Sequence, residues 1–407
     1  MQKNILIGVT GGIAAYKVVE VASLLKKSGA NVKVMMTKHA TEFVSPRTFQ
    51  EITNNAVSVE MFGDAANFNV AHISLANWAD LIVIAPATAN FLAKMAHGIA
   101  DDLLTTTILA FDKKILICPS MNTKMFENPA TQANLSTLKT RGVKILEPAE
   151  GNLACGTVGK GRLPEPKEIC AEIEKIFTPK TLSGKKILVT AGGTIEAIDP
   201  VRYIGNRSSG RMGYEIAKSA VNFGAEVVLI SGKSEINPPN GLKCFIKVES
   251  ALKMREKVLN EFETVDCVIM SAAVADYRVK NISDQKIKKS AENLTIELVK
   301  NPDILRELGN LKKSQVLVGF AAETQNILEY ANKKLVEKNL NFIVANDVTV
   351  EGAGFGVSTN IASIIWRNGD VETFDKMTKA ELAEKIIERI ANLLNNDKKF
   401  FQHDVNH

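Results

Sequence analysis

The sequence predicts an α/β protein made of two doubly wound, Rossmann-like parallel-sheet domains in tandem. Three observations carry the prediction. A short β-branched run enters a Gly-Gly turn and then a helix at KNILIGVTGGIAAYKVVEVASLL, and again at KKILVTAGGTIEAIDPVRYIGNRSSGRMGYEIAKSAVNF. Other short apolar runs alternate with helical stretches in both halves, as in βαβ units. The stretch IFTPKTLSGKK sets Pro, Ser and Gly between a helix and a fresh strand, so a linker is expected at Thr178–Lys185 between domains at 1–177 and 186–407.

In chain order, Asn4–Val9 reads as a buried strand. Ile13–Lys27 has helical spacing, with Ile13, Tyr16, Val18 or Val19, Ala22 and Leu25 on its inner face; Gly29 stops it and Asn31–Met36 is the next strand. Leu81–Ala85, Ile115–Cys118 and Val143–Leu146 are further strands. In the second half Lys186–Thr190 restarts the pattern and a long polar loop leads to a helix opening near Gly213. Glu226–Ile230, Val265–Met270, Val316–Phe320 and Phe342–Val344 are strands, and Ile327–Lys338 is a helix. The halves share an architecture but no sequence repeat.

The bulk numbers exclude several classes. Hydrophobic content of 45% and charged content of 23% are ordinary for a globular protein. A net charge of +5 over 407 residues, without a basic tail, does not suggest a nucleic-acid partner. No apolar run reaches the roughly 18 residues of a membrane helix, and the N-terminus enters a strand directly, so no signal peptide or membrane association is expected. The five cysteines are far apart and lack a CxxC pair, which argues for the reducing cytoplasm and against a structural zinc site.

Ligands of parallel α/β sheets sit at the carboxyl ends of the strands, and a Gly-Gly turn lets backbone N–H groups approach an anion. Neither turn fits GxGxxG. The second strands end in Met36-Thr37-Lys38 and Ile230-Ser231-Gly232, without the carboxylate that an NAD ribose wants. A mononucleotide therefore suits both turns better than NAD, unless their glycines serve tight turning alone. Thr37 is placed to bond a phosphate oxygen.

Four stretches of the first half stand out. In NVAHISLANWAD, His72 shares a helical face with Leu75, Ala76 and Ala79, as a structural histidine also would. PATAN offers Thr88 and Asn90 beside small residues that leave room for a flat ring; either polar residue also suits a helix cap. CPSMNTKMF holds Asn122, which suits a carboxylate or a turn. GNLACGTVGKGR sets Cys155 among four glycines, which suits a mobile flap that closes over a site. Cys118 and Cys267 sit in apolar strands and are expected to be inert.

GVTGGIAAYK, HISLANWAD, PATAN, GIADDLL, PSMNTKMFENPATQ and ACGTVGKGR together resemble the phosphopantothenoylcysteine decarboxylase domain of the flavin-dependent cysteine decarboxylases, across nearly all of residues 1–175. The resemblance implies that FMN binds at Gly11, Gly12, Thr37, Thr88 and Asn90. It makes His72 a base or orienting group, Asn122 the holder of the substrate carboxylate, and Cys155 the proton donor. The chemistry implied is oxidation of the carbon bearing sulfur, so that a C=S group accepts the electrons as CO2 leaves. Ser120, Phe126 and Leu163 depart from the family, which usually shows Ala, Trp and Met there.

In the second half, Asp199–Gly213 is a long polar loop in which Ser208, Ser209 and Gly210 suit a phosphate at a helix start. Asp276 follows a strand at the sheet's binding edge and suits a ribose or Mg2+. Lys286 and Lys288 alternate and would share one face of a strand, and Lys334 and Lys338 lie four apart on a helix. AGGTIEAIDPVRYIGNRSSGRMG, AAVADYR, KIKK, KNPDI and GFAAET, with that lysine pair, resemble phosphopantothenate–cysteine ligase over residues 185–395. The resemblance implies CTP and Mg2+, with Asn206 engaging an acyl cytidylate and Lys286 serving amide formation. It assigns Ser208, Ser209, Gly210, Asp276, Lys286, Asn301, Pro302, Asp303, Ile304, Phe320, Lys334 and Lys338 to CTP, with Asp276 as the metal candidate. Both resemblances together imply a bifunctional coenzyme A biosynthesis enzyme acting on 4′-phosphopantothenate, cysteine and CTP. They further imply a homo-oligomer built on trimers, up to a dodecamer.

Overall fold

The computed structural model describes residues 3–61, 71–152, 158–288, 294–323, 327–347, 357 and 359–395. The chain divides into two compact units, Met1–Phe177 and Thr178–His407. The first contains β1 (Asn4–Val9), α1 (Ala15–Lys27), β2 (Asn31–Met36), a 3-10 turn (Lys38–Glu42), α2 (Pro46–Thr53), β3 (Val57–Ser58) and α3 (Ala71–Trp78). It continues with β4 (Leu81–Ala87), α4 (Ala89–His97), α5 (Leu103–Leu109), β5 (Lys114–Pro119), α6 (Thr123–Glu127) and α7 (Pro129–Thr140). Last come β6 (Lys144–Ile145), β7 (Ala149–Asn152), β8 (Val158–Arg162) and α8 (Pro166–Phe177).

Strands β1 to β6 form one parallel sheet in the order β3-β2-β1-β4-β5-β6, which is the doubly wound order with its switch point between β1 and β4. All seven residues of β4 are buried, because helices cover both faces of a parallel sheet. Helix α1 buries Ala15, Val18, Val21, Ala22 and Leu25. Ile13 and Tyr16, expected on that face, are each 60% exposed. Ile13 lies in the turn before the helix, so the apolar stripe counts from Ala15.

The second unit contains β9 (Lys186–Ala191), β10 (Ile195–Ala197), β11 (Tyr203–Gly205), α9 (Arg211–Asn222), β12 (Glu226–Ser231), β13 (Cys244–Lys247) and α10 (Ala251–Phe262). Then follow β14 (Cys267–Met270), β15 (Tyr277–Val279), β16 (Leu298–Lys300), α11 (Ile304–Leu311), β17 (Val316–Glu323) and α12 (Ile327–Glu337). The chain closes with β18 (Phe342–Asp347), β19 (Thr359–Trp366), β20 (Val371–Thr378) and α13 (Lys379–Asn395). Its sheet runs β13-β12-β9-β14-β17-β18-β19-β20, parallel up to β18 and antiparallel through the last two pairs. The β19–β20 hairpin was not foreseen, although Asn368-Gly369 is a strong hairpin signal and Gly369 takes φ +91°. Thr378 and Glu381 then cap α13 reciprocally, through Glu381 N–H to Thr378 Oγ1 at 3.2 Å and Thr378 N–H to Glu381 Oε2 at 2.7 Å.

The expected linker at 178–185 packs within the second unit. Leu182 is fully buried in that unit's core, and its N–H donates to Phe223 O at 3.0 Å. A leucine between two turn-forming residues had given the segment an anchor that its Pro and Gly concealed.

Candidate functional sites

In the first unit the exits of β1, β2, β4 and β5 share one edge. Thr10 Oγ1 donates to Pro86 O at 2.6 Å and accepts Thr88 N–H at 3.1 Å, tying the β1 and β4 exits across the switch point. Gly11 is closed to any side chain, since a β-carbon there would lie 2.5 Å from His39 Cβ. Beside Gly12 there is room, with Thr88 Cγ2 at 3.6 Å and Pro86 Cγ at 3.7 Å from the equivalent position. Thr88 caps α4 by accepting Phe91 N–H at 3.3 Å, and Asn90 is exposed on the first turn.

Thr37 leaves β2 with its N–H donating to Val9 O at 3.0 Å. Its Oγ1 is buried and has no hydrogen-bond partner among the described residues. An unsatisfied buried hydroxyl costs about 1–3 kcal/mol, so this donor stands ready for a ligand. A glycine turn, a helix start and a reserved hydroxyl fit the phosphate end of a flavin mononucleotide.

His72 is half-buried on α3, whose inner face carries the buried Leu75, Ala76 and, just beyond it, Ala79. Asn122 caps α6, its Oδ1 accepting Lys124 N–H at 2.9 Å. Its loop is held by Ser120 N–H to Ala87 O at 3.1 Å and by Met121 N–H to Gly161 O at 3.0 Å. Cys155 lies outside the described residues.

The glycines around Cys155 were expected to give a flap its mobility. Two of them also allow close approach. A β-carbon on Gly161 would lie 2.2 Å from Met121 O, and one on Gly159 would lie 2.6 Å from Thr123 Oγ1. Strand β8, paired with β7, thus presses directly on the loop bearing Asn122, and Leu163 just after it is buried in the core. Thr123 Oγ1 is a second buried hydroxyl without a partner among the described residues. Burial pushes the Cys118 and Cys267 thiols far up, and burial, then Glu174 and Glu20, raises Cys170 to about 11, so none is a ready thiolate.

In the second unit the exits of β9, β12 and β14 meet. Gly192 takes φ +75°, and its β-carbon would lie 2.8 Å from Lys233 O. Gly210, at φ +81°, sits against Gly192 N, and a β-carbon on Gly232 would lie 2.5 Å from Gly193 O. Asn206 is exposed and donates from Nδ2 to Ala273 O at 3.0 Å. Ser208 Oγ accepts Gly210 N–H at 3.3 Å and Ser209 Oγ accepts Arg211 N–H at 3.5 Å, at the start of α9.

Asn301 is a buried brace, donating from Nδ2 to Ala275 O at 2.9 Å and from its N–H to Asp276 O at 2.8 Å. After Pro302, Asp303 caps α11 and pairs with Lys338 at 2.9 Å. Burial alone would raise the Asp303 carboxyl; Lys338 and the Arg306 N–H outweigh it and hold the pKa below its usual value. Ile304 is core, and Phe320 packs against the core from β17. Lys334 is half-buried on α12, and Asp276 is exposed. Among the described residues no group of three or more His, Cys, Asp or Glu could hold a metal ion.

Residues 286–288 form no strand, contrary to the alternation read there. Their placement comes from Asp199 and Arg202, to which no role had been given. Asp199 Oδ2 accepts Ile287 N–H at 3.2 Å, and Arg202 Nη2 donates to Ile287 O at 2.7 Å. The signal was present as Asp-Pro-x-Arg, a turn in which Asp199 Oδ1 accepts Val201 N–H at 2.8 Å. A separate cavity of about 260 Å³ lies against Met95, Ile108, Phe111 and Leu138, and none of the candidate residues lines it.

Comparison with known proteins brings both halves together. The flavoprotein family model matches residues 1–178, and that of the DNA/pantothenate metabolism flavoprotein C-terminal domain matches residues 182–394. The coenzyme A biosynthesis bifunctional protein CoaBC of Bacillus subtilis (strain 168) is 50% identical over 96% of this chain and 97% of its own length. That of Escherichia coli (strain K12) is 42% identical over 90% and 92%. The crystal structure of the C-terminal domain of a protein of the same name is 46% identical, covers 54% of this chain and all of its own, and has a TM-score of 0.47. No helix among the described residues is long and apolar enough to cross a membrane.

Proposed function

The chain belongs to the family of bifunctional coenzyme A biosynthesis proteins, and on that premise we propose how its two units divide the work. The first is an FMN-dependent phosphopantothenoylcysteine decarboxylase and the second a CTP-dependent phosphopantothenate–cysteine ligase. The second makes the substrate of the first. The observation that carries the flavin half is the unpartnered Thr37 hydroxyl beside the Gly11-Gly12 turn.

Gly11, Gly12 and Thr37 would hold the FMN phosphate, and Thr88 and Asn90 would border the ring. When bound, the flavin supplies two-electron oxidation and its reversal. Asn122, which caps α6 through Oδ1, would hold the substrate carboxylate. Half-buried His72 orients the thiol-bearing end or takes its proton, and Cys155 returns a proton after CO2 leaves. The contact of β8 with the Asn122 loop couples the two regions.

In the second unit, Ser208, Ser209 and Gly210 at the start of α9 meet phosphate, and Asn206 steadies the acyl cytidylate. Residues 301–304 and Phe320 border the CTP site, with Lys334 and Lys338 offsetting triphosphate charge. Lys286 serves the attack of cysteine's amine. A lone exposed Asp276 suits Mg2+ that arrives with the triphosphate, since Mg2+ keeps several waters and takes few protein carboxylates. Four described cysteines are free, which supports a reducing cytoplasm. Assembly is read as trimer-based, up to a dodecamer.

The test uses the purified chain with 4′-phosphopantothenate, cysteine and CTP. CMP and CO2 should appear in equal amounts, and the protein should bind FMN. A chain that neither carries nor takes up FMN sinks the first assignment; equal turnover with ATP sinks the nucleotide assignment.

A further inference from the structure

We propose that Lys312 is a carbamate site: its amine takes up CO2, and the carboxylate so formed pairs with Arg367 and braces the edge of the second sheet opposite the candidate nucleotide site.

Lys312 closes α11 and stands where β17 and β18 begin. It is half-buried, yet its amine meets neutral acceptors. Nζ donates to Asn341 Oδ1 at 2.7 Å and to Asn339 O at 3.1 Å. Among the described residues neither Lys312 nor Arg367 has a carboxylate partner, which is unusual for a lysine drawn in from solvent. Two acceptors match the two hydrogens of a neutral amine and leave its lone pair free.

Arg367 is held by the same two asparagines. Its Nη1 donates to Asn339 Oδ1, and its N–H donates to Asn341 O at 3.2 Å. Asn339 Nδ2 donates to Gly309 O at 3.0 Å, which turns Oδ1 toward the arginine. Asn341 Oδ1 also accepts Leu317 N–H at 2.9 Å, so the cage is tied to β17. Two basic groups are thus fixed side by side without an anion. Burial, then Arg367, lowers the Lys312 pKa to about 8. About a tenth of such an amine is neutral at pH 7, against less than about a thousandth for an ordinary lysine.

In the reaction the amine lone pair bonds to the carbon of CO2, one C=O pair moves onto oxygen, and the nitrogen releases a proton to water. One N–H remains to keep one of the two acceptors. A group that repelled Arg367 becomes an anion that attracts it. The decarboxylation assigned to the first unit releases CO2, and dissolved CO2 from any other source serves equally.

The test equilibrates the full-length protein with isotopically labelled bicarbonate at fixed pH, traps carbamates with triethyloxonium and locates the label by peptide mass spectrometry. Label at Lys312 should exceed that at an exposed lysine such as Lys333 by about tenfold or more. Arg367→Gln, at an exposed position, should lower it about two- to fivefold. Lys312→Arg should abolish it. Bicarbonate, compared with chloride at equal ionic strength, should raise the thermal transition of the second unit by about 2–4 °C and leave Lys312→Arg unmoved. Label no greater at Lys312 than at Lys333, label indifferent to Arg367→Gln, label without a thermal shift, or a shift that persists in Lys312→Arg overturns the proposal. If Lys312→Arg does not fold, the wild type and Arg367→Gln carry the test.

Discussion

Thr37→Val should strengthen the flavin-free protein and weaken its hold on FMN at the same time. Valine nearly matches threonine in shape, so the change deletes one hydroxyl. In the structure that hydroxyl is buried without a partner among the described residues. Removing an unsatisfied buried donor should recover about 1 kcal/mol of the roughly 1–3 kcal/mol such a group costs. For a unit of this size that is a rise of about 2–4 °C in Tm. With FMN bound the same change deletes a hydrogen bond to a charged phosphate, worth about 1.5–3 kcal/mol, or about tenfold to a hundredfold in Kd. The sign of the Tm shift therefore reverses between flavin-free and flavin-saturated protein. Thermal scans with and without FMN, and a fluorescence titration with FMN and with riboflavin, measure it. Riboflavin lacks the phosphate, so its affinity should not change, and Thr37→Ser should behave as wild type. An unchanged FMN Kd, or an equal loss for riboflavin, would refute the assignment of Thr37 to phosphate.

Three further outcomes follow from named contacts. Gly161→Ala drives a methyl into Met121 O, 2.2 Å from its β-carbon; it should cost about 1–3 kcal/mol by overpacking and lower decarboxylation by shifting the Asn122 loop, while ligation is unaffected. Lys338→Met should raise the KM for CTP several-fold in steady-state assays, yet change stability by under about 1 kcal/mol, because its pair with Asp303 is partly exposed. Burial, then Arg367, lowers the Lys312 pKa to about 8. Between that value and about 10.4, the unfolded lysine keeps a proton that the folded one has released, so stability rises with pH across this window. After allowing for partial exposure the rise is about 1–2 kcal/mol, and Lys312→Met should flatten it in chemical denaturation series at pH 8 and pH 10.

The sheets were legible because their strands are covered on both faces. Such strands read as unbroken apolar runs, and β1, β2, β4 and β9 stand where those runs do. The last hairpin escaped because β20 is mostly polar at the sheet's edge, so only its turn announces it. The Lys286–Lys288 alternation misled because a loop gripped by two side chains needs no hydrophobic period. The glycines at 159 and 161 carry a second reading beside the flap. Glycine permits motion and close approach alike, and the close approach shows only in the neighbour, here Met121 or Thr123. Asp199 is the reverse case, since its partner Ile287 lies too far along the chain for any local pattern to link them.

Why two similar Gly-Gly turns should take different ligands comes down to one position beside each. Thr37 follows β2 and donates its N–H to Val9 O; Gly232 follows β12 and donates its N–H to Ala191 O at 2.9 Å. The two residues are structural counterparts. In the first unit that position carries a hydroxyl facing no protein acceptor among the described residues. In the second it carries no side chain, and Gly193 O lies 2.5 Å from where a β-carbon would be. The neighbouring Ser231 hydroxyl is already spent, accepting from Tyr214 OH at 3.0 Å and donating to Gly232 O at 3.0 Å. A phosphate held as Thr37 would hold it therefore has no counterpart beside the second turn. On the proposed reading, anion recognition there moves to the start of α9 and to lysines on other elements, Ser208, Lys334 and Lys338 being the candidates. Opening that position with Gly232→Thr cannot restore a flavin-type site, because the new side chain would meet the Gly193 backbone before any ligand. That variant should lose stability in thermal scans and gain no FMN binding; an FMN-binding Gly232→Thr second unit would show that the difference between the turns lies elsewhere.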